Sequence, residues 1–212
     1  MQGRFITLEG GEGAGKSTQI SRLAGELESA GVDVVRTREP GGSTGAEHIR
    51  ALLVEGDVGR WQPMSEALLH FAARADHVAK VIRPALEAGK WVLCDRFADS
   101  TMAYQGYGHG LGPVVIHDLY QLVLGDFHPD LTIVLDLDVT IGLGRAAERA
   151  KELTAGEDRY ERMDIAFHQR LRDGFLAIAK AEPERCAVID ASLEAGDVFA
   201  TLREVVSERL GV

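Results

Sequence analysis

The sequence predicts an α/β fold: a five-stranded parallel sheet with helices covering both faces, a three-layer sandwich. Two observations lead there. Five short apolar runs, rich in β-branched residues, are spread along the 212 residues with helix-like segments between them. Strands buried on both faces read this way, and alternation with helices is the mark of a parallel sheet. The first run is also followed at once by a glycine-rich segment and then by apolar residues at helical spacing, the strand, loop and helix order of a phosphate-cradling loop.

Arg4–Glu9 (RFITLE) reads as the first strand. From Lys16 onward, Ile20, Leu23, Ala24 and Leu27 repeat at helical spacing. Val32–Arg36 reads as the second strand, ending near Pro40-Gly41-Gly42, and Thr44–Val54 as a short helix. Pro63–Leu86 predicts a long helix whose apolar face is Leu68, Leu69, Ala72, Ala75, Val78, Ala79 and Ile82, with a kink or early end at Pro84. Lys90–Cys94, Leu131–Asp136 and Cys186–Asp190 are the remaining strands. Helices are expected near Ser100 and over Pro113–Leu124, Thr140–Ala150, Arg159–Ala181 and Leu193–Leu210, with a loop at Gly106–Gly110. The polar stretch Lys151–Asp158 fits either a surface loop or a lid that closes over bound phosphates. Right-handed crossovers then bring the strand C-termini to one edge, where ligands bind.

The whole chain narrows the function classes. Its hydrophobic and charged fractions, 45% and 26%, are those of an ordinary globular domain. A net charge of −10, from 23 basic and 33 acidic residues, argues against a nucleic-acid track, which needs a basic face. The N-terminus runs directly into the first strand with no room for a signal peptide, and no apolar run approaches a membrane span. Cys94 and Cys186 lie in strand-like contexts and read as buried thiols, which fits a reducing cytoplasm. The seven histidines show no metal-ligand spacing, and no Gly-x-Ser-x-Gly elbow is present.

Residues 10 to 17 spell G-x-x-x-x-G-K-S. Gly10, Gly11, Glu12, Gly13, Ala14 and Gly15 can curl so that backbone N–H groups face phosphate oxygens. Lys16 sets a positive charge on the terminal phosphates, Ser17 offers a hydroxyl to magnesium, and Thr18 continues into a helix whose dipole favours anions. Asp95-Arg96 follows the third strand on the same edge, the carboxylate placed for magnesium and the guanidinium for a second phosphate. Phe71 and Arg74, three apart on a helix, suit a nucleobase by stacking and edge bonding; a core phenylalanine beside a surface arginine is the alternative. Ser100, Thr101, Tyr104 and Gln105 form a polar helix face that could read a pyrimidine. Arg145 and Arg149, four apart, could reach over a transferring phosphoryl group.

Taken together these blocks resemble the thymidylate kinases of bacteria, within the P-loop NTPase fold. The resemblance rests on FITLEGGEGAGKST from Phe5, TREPGG from Thr37, FAAR from Phe71, DRF from Asp95, AYQG from Ala103 and GDFHPDLT from Gly125, and spans nearly the whole chain. It implies one nucleoside monophosphate kinase domain over residues 1–212, with a lid at about 145–160. It implies transfer of the ATP γ-phosphoryl group to dTMP, giving dTDP and ADP, with magnesium at Ser17 and Asp95, and a homodimer. Carried onto this sequence, it implies that Glu12 approaches the deoxyribose 3′-hydroxyl, Phe71 stacks on thymine and Arg74 bonds its edge. Arg96 would hold the dTMP phosphate with Arg38, Glu39 and Arg50 nearby, Tyr104 would disfavour ribonucleotides, and Ser100, Thr101 and Gln105 would line the base site. Some relatives carry an arginine within the phosphate loop; Gly13 stands there in this chain, so the catalytic arginine is expected from the lid side, Arg149 first and Arg145 second. Lys151–Gly156 carries fewer basic residues than such lids usually do. A kinase for another nucleoside monophosphate or for a deoxynucleoside is the neighbouring alternative. A GTP switch lacks its Asn-Lys-x-Asp segment here.

Overall fold

The computed structural model describes residues 2–152 and 158–211, and of residues 150–152 only the backbone. The five strands are β1 (Phe5–Glu9), β2 (Val34–Arg38), β3 (Trp91–Asp95), β4 (Leu131–Asp136) and β5 (Cys186–Asp190). They pair in parallel in the order β2-β3-β1-β4-β5. Every residue of β1 is buried, as a strand with neighbours on both edges and helices on both faces must be. The winding direction reverses beside β1, because the chain first works outward to β2 and β3 and then crosses to β4 and β5. A reversal of this kind opens a crevice at the strand C-termini. The segment after β1 and the residues after β3 both emerge into it.

On one face α1 (Lys16–Ser29) and α9 (Ala195–Leu210) lay Ile20, Leu23, Leu27, Val198, Leu202 and Val206 on Ile6, Leu8, Leu93, Ile133 and Leu135. On the other, Phe5, Val92 and Cys94 meet Val78, Ile82 and Leu124, while Val134 and Cys186 meet Leu171, Phe175 and Ile178 of α8 (Ile165–Ala181). Cys94 and Cys186 are both buried free thiols. Burial pushes Cys94 well above the ordinary thiol range and Cys186 up to about 12. No helix of the described residues is long and apolar enough to cross a membrane.

The long helix differs from expectation in two ways. It runs as α3 (Pro63–His77), a π-turn over Val78–Ile82, and α4 (Arg83–Glu87), so Pro84 neither stops nor shortens it. Pro84 lacks the N–H that would bond back one turn and crowds the carbonyl there, and the wider π-turn just before it absorbs both effects. The second difference concerns the buried face. Val78 and Ile82 are buried as expected, but Leu68, Ala72, Ala75 and Ala79 face outward. Glu66, His70, Arg74 and His77 are buried instead, beside Ala67, Phe71 and Ala73. The helix is packed with its polar side inward because that side faces the crevice.

Other departures have local causes. β2 begins at Val34 because the Val32 amide still bonds Leu27 O at the end of α1. The loop expected at Gly106–Gly110 is largely a second π-turn, Met102–Gly108, continuing α5 (Ala98–Thr101). Its glycines allow neighbours to close in: a Cβ at Gly108 would lie 2.6 Å from the Phe167 ring. The helix expected from Arg159 begins only at Ile165, where Asp164 caps it by accepting from Phe167 N at 2.6 Å. Arg159 is withdrawn for another task. It is fully buried and donates to Leu53 O, Asp57 O, Val58 O and the Glu66 carboxylate, so it satisfies carbonyls at the C-terminal end of α2 (Thr44–Val54). Of the expected lid, residues 153–157 lie outside the described residues. The remaining helices are α6 (Pro113–Leu124) and α7 (Val139–Glu152).

Candidate active site

The turn after β1 is built on glycines at positive φ: Gly10 (133°), Gly13 (68°) and Gly15 (90°). Gly15 is the N-cap of α1 and supplies no side-chain cap, whereas Ser43 caps α2 and Asp164 caps α8. The first amides of α1 are therefore left for another acceptor, as an anion site at a helix start requires. Lys16 folds over the turn, donating to Gly10 O at 3.1 Å and Gly11 O at 2.9 Å. Burial, with Arg96 close by, pushes its ammonium down to about 8 against the pull of Asp95, Glu12 and Glu9. Ser17 Oγ donates to Asp95 Oδ2 at 2.7 Å, which sets a hydroxyl and a carboxylate side by side beneath Lys16.

Arg96 is the non-glycine residue with positive φ, 69°, among the described residues. That turn directs its guanidinium back toward the glycine loop. It donates to Gly10 O at 2.9 Å, Glu12 Oε1 at 2.9 Å and Ser100 Oγ at 3.2 Å, and lies 5.1 Å from the Tyr104 ring centre. Glu12 also accepts from the Tyr104 hydroxyl at 2.6 Å. Burial alone would raise Glu12, but the charges of Arg96 and Lys16 and the Tyr104 hydrogen bond outweigh it and hold the carboxyl at about 2. Glu9, at the end of β1, accepts from Phe97 N at 2.7 Å and from Ser100 Oγ at 2.5 Å, and so ties down the turn that carries Arg96.

The second wall comes from the inward stripe of α3 and from α5 with its π-turn. Arg74 is buried, donates to Glu39 Oε2 at 2.7 Å, Phe97 O at 3.0 Å and Thr101 Oγ1 at 2.9 Å, and among the described residues has no partner for Nη1. Gln105 donates to Glu66 Oε1 at 2.7 Å and has no partner for its buried Oε1. One buried donor and one buried acceptor are thus left open on this wall, an arrangement that native interiors rarely tolerate without a ligand. Glu39 also meets His77 Nδ1 at 3.0 Å. Arg38 pairs with Glu47 at the surface and Arg50 donates to Pro40 O, both on the β2 side of the crevice.

The Phe71 ring lies 5.0 Å from the Arg74 guanidinium, as the expected pairing of the two requires. It packs with Ala67 and Ile116 in the apolar contact between α3 and α6. A second ring on the buried side of α3 is His70, four residues before Arg74, bonded to the Tyr160 hydroxyl at 3.0 Å. Burial pushes His70 down to about 3 despite the nearby Glu66 carboxylate, so it stands as a neutral, flat imidazole. The spacing Glu66, His70, Arg74, His77 was the sequence signal for this buried polar stripe. Tyr160 and Arg159 were missed as well, and a single arginine after a polar loop leaves no periodic trace.

Arg145 and Arg149 extend along α7 above the loop. Arg145 donates to Ala191 O at 3.2 Å, and Arg149, half exposed, pairs with Glu161 at 3.0 Å. Among the described residues no group of three or more His, Cys, Asp and Glu forms a metal cage. The arrangement sets the glycine loop at one end, the buried polar groups of Arg74 and Gln105 at the other, and Arg96 bonded to the glycine loop and to Ser100.

A family model described as Thymidylate kinase matches residues 8–202 of the chain. The chain is 56% identical to thymidylate kinase of Caulobacter vibrioides over 211 residues, covering 100% of this chain and 99% of that one. It is 52% identical over 210 residues to thymidylate kinase of Rhizorhabdus wittichii, covering 99% and 100%. A crystal structure of thymidylate kinase from Ehrlichia chaffeensis superposes with a TM-score of 0.77 at 39% identity, covering 97% of this chain and 99% of that one.

Burial and the nearby Asp99 carboxylate raise Glu9 from 4.5 to about 7. The folded state then holds a proton that the unfolded chain releases, so this contribution to stability is full below 4.5 and is lost as pH rises through about 7. Glu9→Gln should remove the dependence: its melting temperature relative to the parent should rise between about pH 5 and about pH 8. Calorimetry giving the same difference at both pH values would contradict the assignment.

Proposed function

Because this chain belongs to the thymidylate kinase family, and so transfers the γ-phosphoryl group of ATP to dTMP, giving dTDP and ADP, we propose a division of labour among its residues. The observation that carries it is the Arg96 guanidinium, bonded to the glycine loop and to Ser100. Residues Gly10–Thr18 cradle the ATP phosphates, with Lys16 on the terminal ones. Arg96 holds the dTMP phosphate in line with them. Glu12, kept ionised by Arg96 and Lys16, accepts from the deoxyribose 3′-hydroxyl, and Tyr104 beneath it leaves no room for a 2′-hydroxyl. Thymine offers a carbonyl oxygen and a ring N–H, which complement the open Arg74 Nη1 and Gln105 Oε1. Thr101 and Ser100 complete that wall, and Phe71, its ring beside the Arg74 guanidinium, stacks on the base.

Magnesium suits the pair Ser17 and Asp95. Both are hard oxygen donors already in contact, and magnesium is commonly bound by one or two protein oxygens with phosphates and water completing its shell. When bound there it would offset phosphate charge. The acceptor is already an anionic oxygen, so the chain's own residues need only position it and spread charge. Arg149, with Arg145 in reserve, supplies the last positive charge from α7. We take residues 1–212 as one kinase domain with its lid at about 145–160. The chain works in the cytoplasm, a reading supported by its two reduced, buried thiols.

The chain pairs with a second copy through the outward stripe Met64, Leu68, Ala72 and Ala75 of α3, together with exposed Val114 and Leu122 on α6. An apolar helical stripe of this length is otherwise left to water.

A coupled ADP-release assay with dTMP, dUMP, dCMP, dGMP and UMP should show clear preference for dTMP. Arg96→Ala should abolish dTMP turnover while ATP binding persists. Preference for thymidine over dTMP, or unchanged dTMP kinetics in the variant, would overturn the scheme. Arg149→Ala should lower kcat ~10-fold or more; a normal kcat there with a loss in Arg145→Ala would move the role to Arg145. Leu68→Asp should yield monomers in sedimentation, and an intact dimer would place the interface elsewhere.

A further inference from the structure

Two glycines from distant parts of the chain meet backbone to backbone. A Cβ at Gly13 would lie 2.1 Å from the carbonyl oxygen of Gly142 and 3.1 Å from Arg145 Cβ. A Cβ at Gly142 would lie 2.4 Å from the carbonyl oxygen of Glu12. Neither position has room for any side chain, and the obstacles are carbonyl groups that cannot swing aside. Gly142 is in the first turns of α7, where its amide bonds Asp138 O at 2.9 Å and Asp138 caps the helix by accepting from Thr140 N at 2.9 Å. Asp136, at the end of β4, is gripped by two hydrogen bonds from Arg172, so the strand end that leads into the helix is fixed.

Gly142, Arg145 and Arg149 are spaced three and four apart, so they lie along one stripe of α7. The stripe that bears the two arginines is the one that touches the phosphate loop. From this geometry we infer that the Gly13–Gly142 contact sets the height of α7 over the loop, making Gly142 a positioning residue that aims Arg145 and Arg149 at the transferring phosphoryl group. The inference rests on the reading that these arginines act in transfer. It also explains why no arginine can stand at position 13: α7 occupies the space that its Cβ would need.

Gly144 supplies the control. It lies in the same helix, is exposed, and has open space where a Cβ would go. Helix propensity predicts that alanine is favourable at either position, so the two variants separate local helix effects from the contact. Gly144→Ala should leave kcat unchanged. Gly142→Ala should lower kcat ~10-fold with little change in KM for dTMP, and in an Arg145→Ala/Arg149→Ala background it should lower kcat less than about twofold, because residues acting through one another are not additive. A merely structural role would give the same fold loss in both backgrounds and overturns the inference, as does an unchanged kcat in Gly142→Ala. If Gly142→Ala does not fold, Gly13→Ala, which strikes the same contact from the loop side, carries the same cycle. Failure of both to fold assigns the contact to stability alone and also overturns the inference. Normal kcat in the arginine variants themselves would instead defeat the catalytic reading on which it rests.

Discussion

The site depends on one turn of backbone. Arg96 leaves β3 at positive φ, a conformation that costs energy for a residue with a side chain, and the turn is held by Glu9 through Phe97 N and the Ser100 hydroxyl. Without that turn the guanidinium would continue outward with the strand. With it, Arg96 reaches the Gly10 carbonyl and the Glu12 carboxylate, and three charged groups become interdependent. Glu12 stays ionised because Arg96 and Lys16 face it, and Lys16 loses part of its proton affinity to burial first and to the nearby Arg96 second. A cationic centre that is partly neutralised by its own carboxylate can be buried, yet retains attraction for an arriving phosphate.

The sheet was legible because buried parallel strands leave nothing to alternate. Leu131–Asp136 and Cys186–Asp190 appear with the bounds that their apolar content suggests, and the glycine loop sits where its motif requires. The errors arise where a residue answers to a distant partner. Arg159 has a helix-like sequence after it, but its guanidinium serves three carbonyls more than a hundred positions earlier, and the helix waits until Asp164 can cap it.

α3 shows the deeper limit. Hydrophobic periodicity assigns its apolar stripe to the interior, and for a helix on a core that is the sound rule. Here the interior is a binding crevice whose lining has to be polar: Glu66 meets Gln105 and Arg159, Arg74 meets Glu39, and His77 meets Glu39. Leu68, Ala72, Ala75 and Ala79 face outward while Val78 and Ile82 are buried, and the expected apolar face left out the polar stripe to which His70 belongs. Polar residues recurring at helical spacing, Glu66, His70, Arg74 and His77, carried the information that hydrophobicity alone obscured.

The two thiols have a practical meaning. The chain holds only Cys94 and Cys186, both are enclosed, and burial raises both so that almost none of either is thiolate at neutral pH. Alkylating dyes and spin labels attack thiolates, so the native fold offers them no foothold. A cysteine introduced on the surface would therefore be the sole point of attachment, and distances across the crevice become measurable by fluorescence transfer without first stripping the natural sequence.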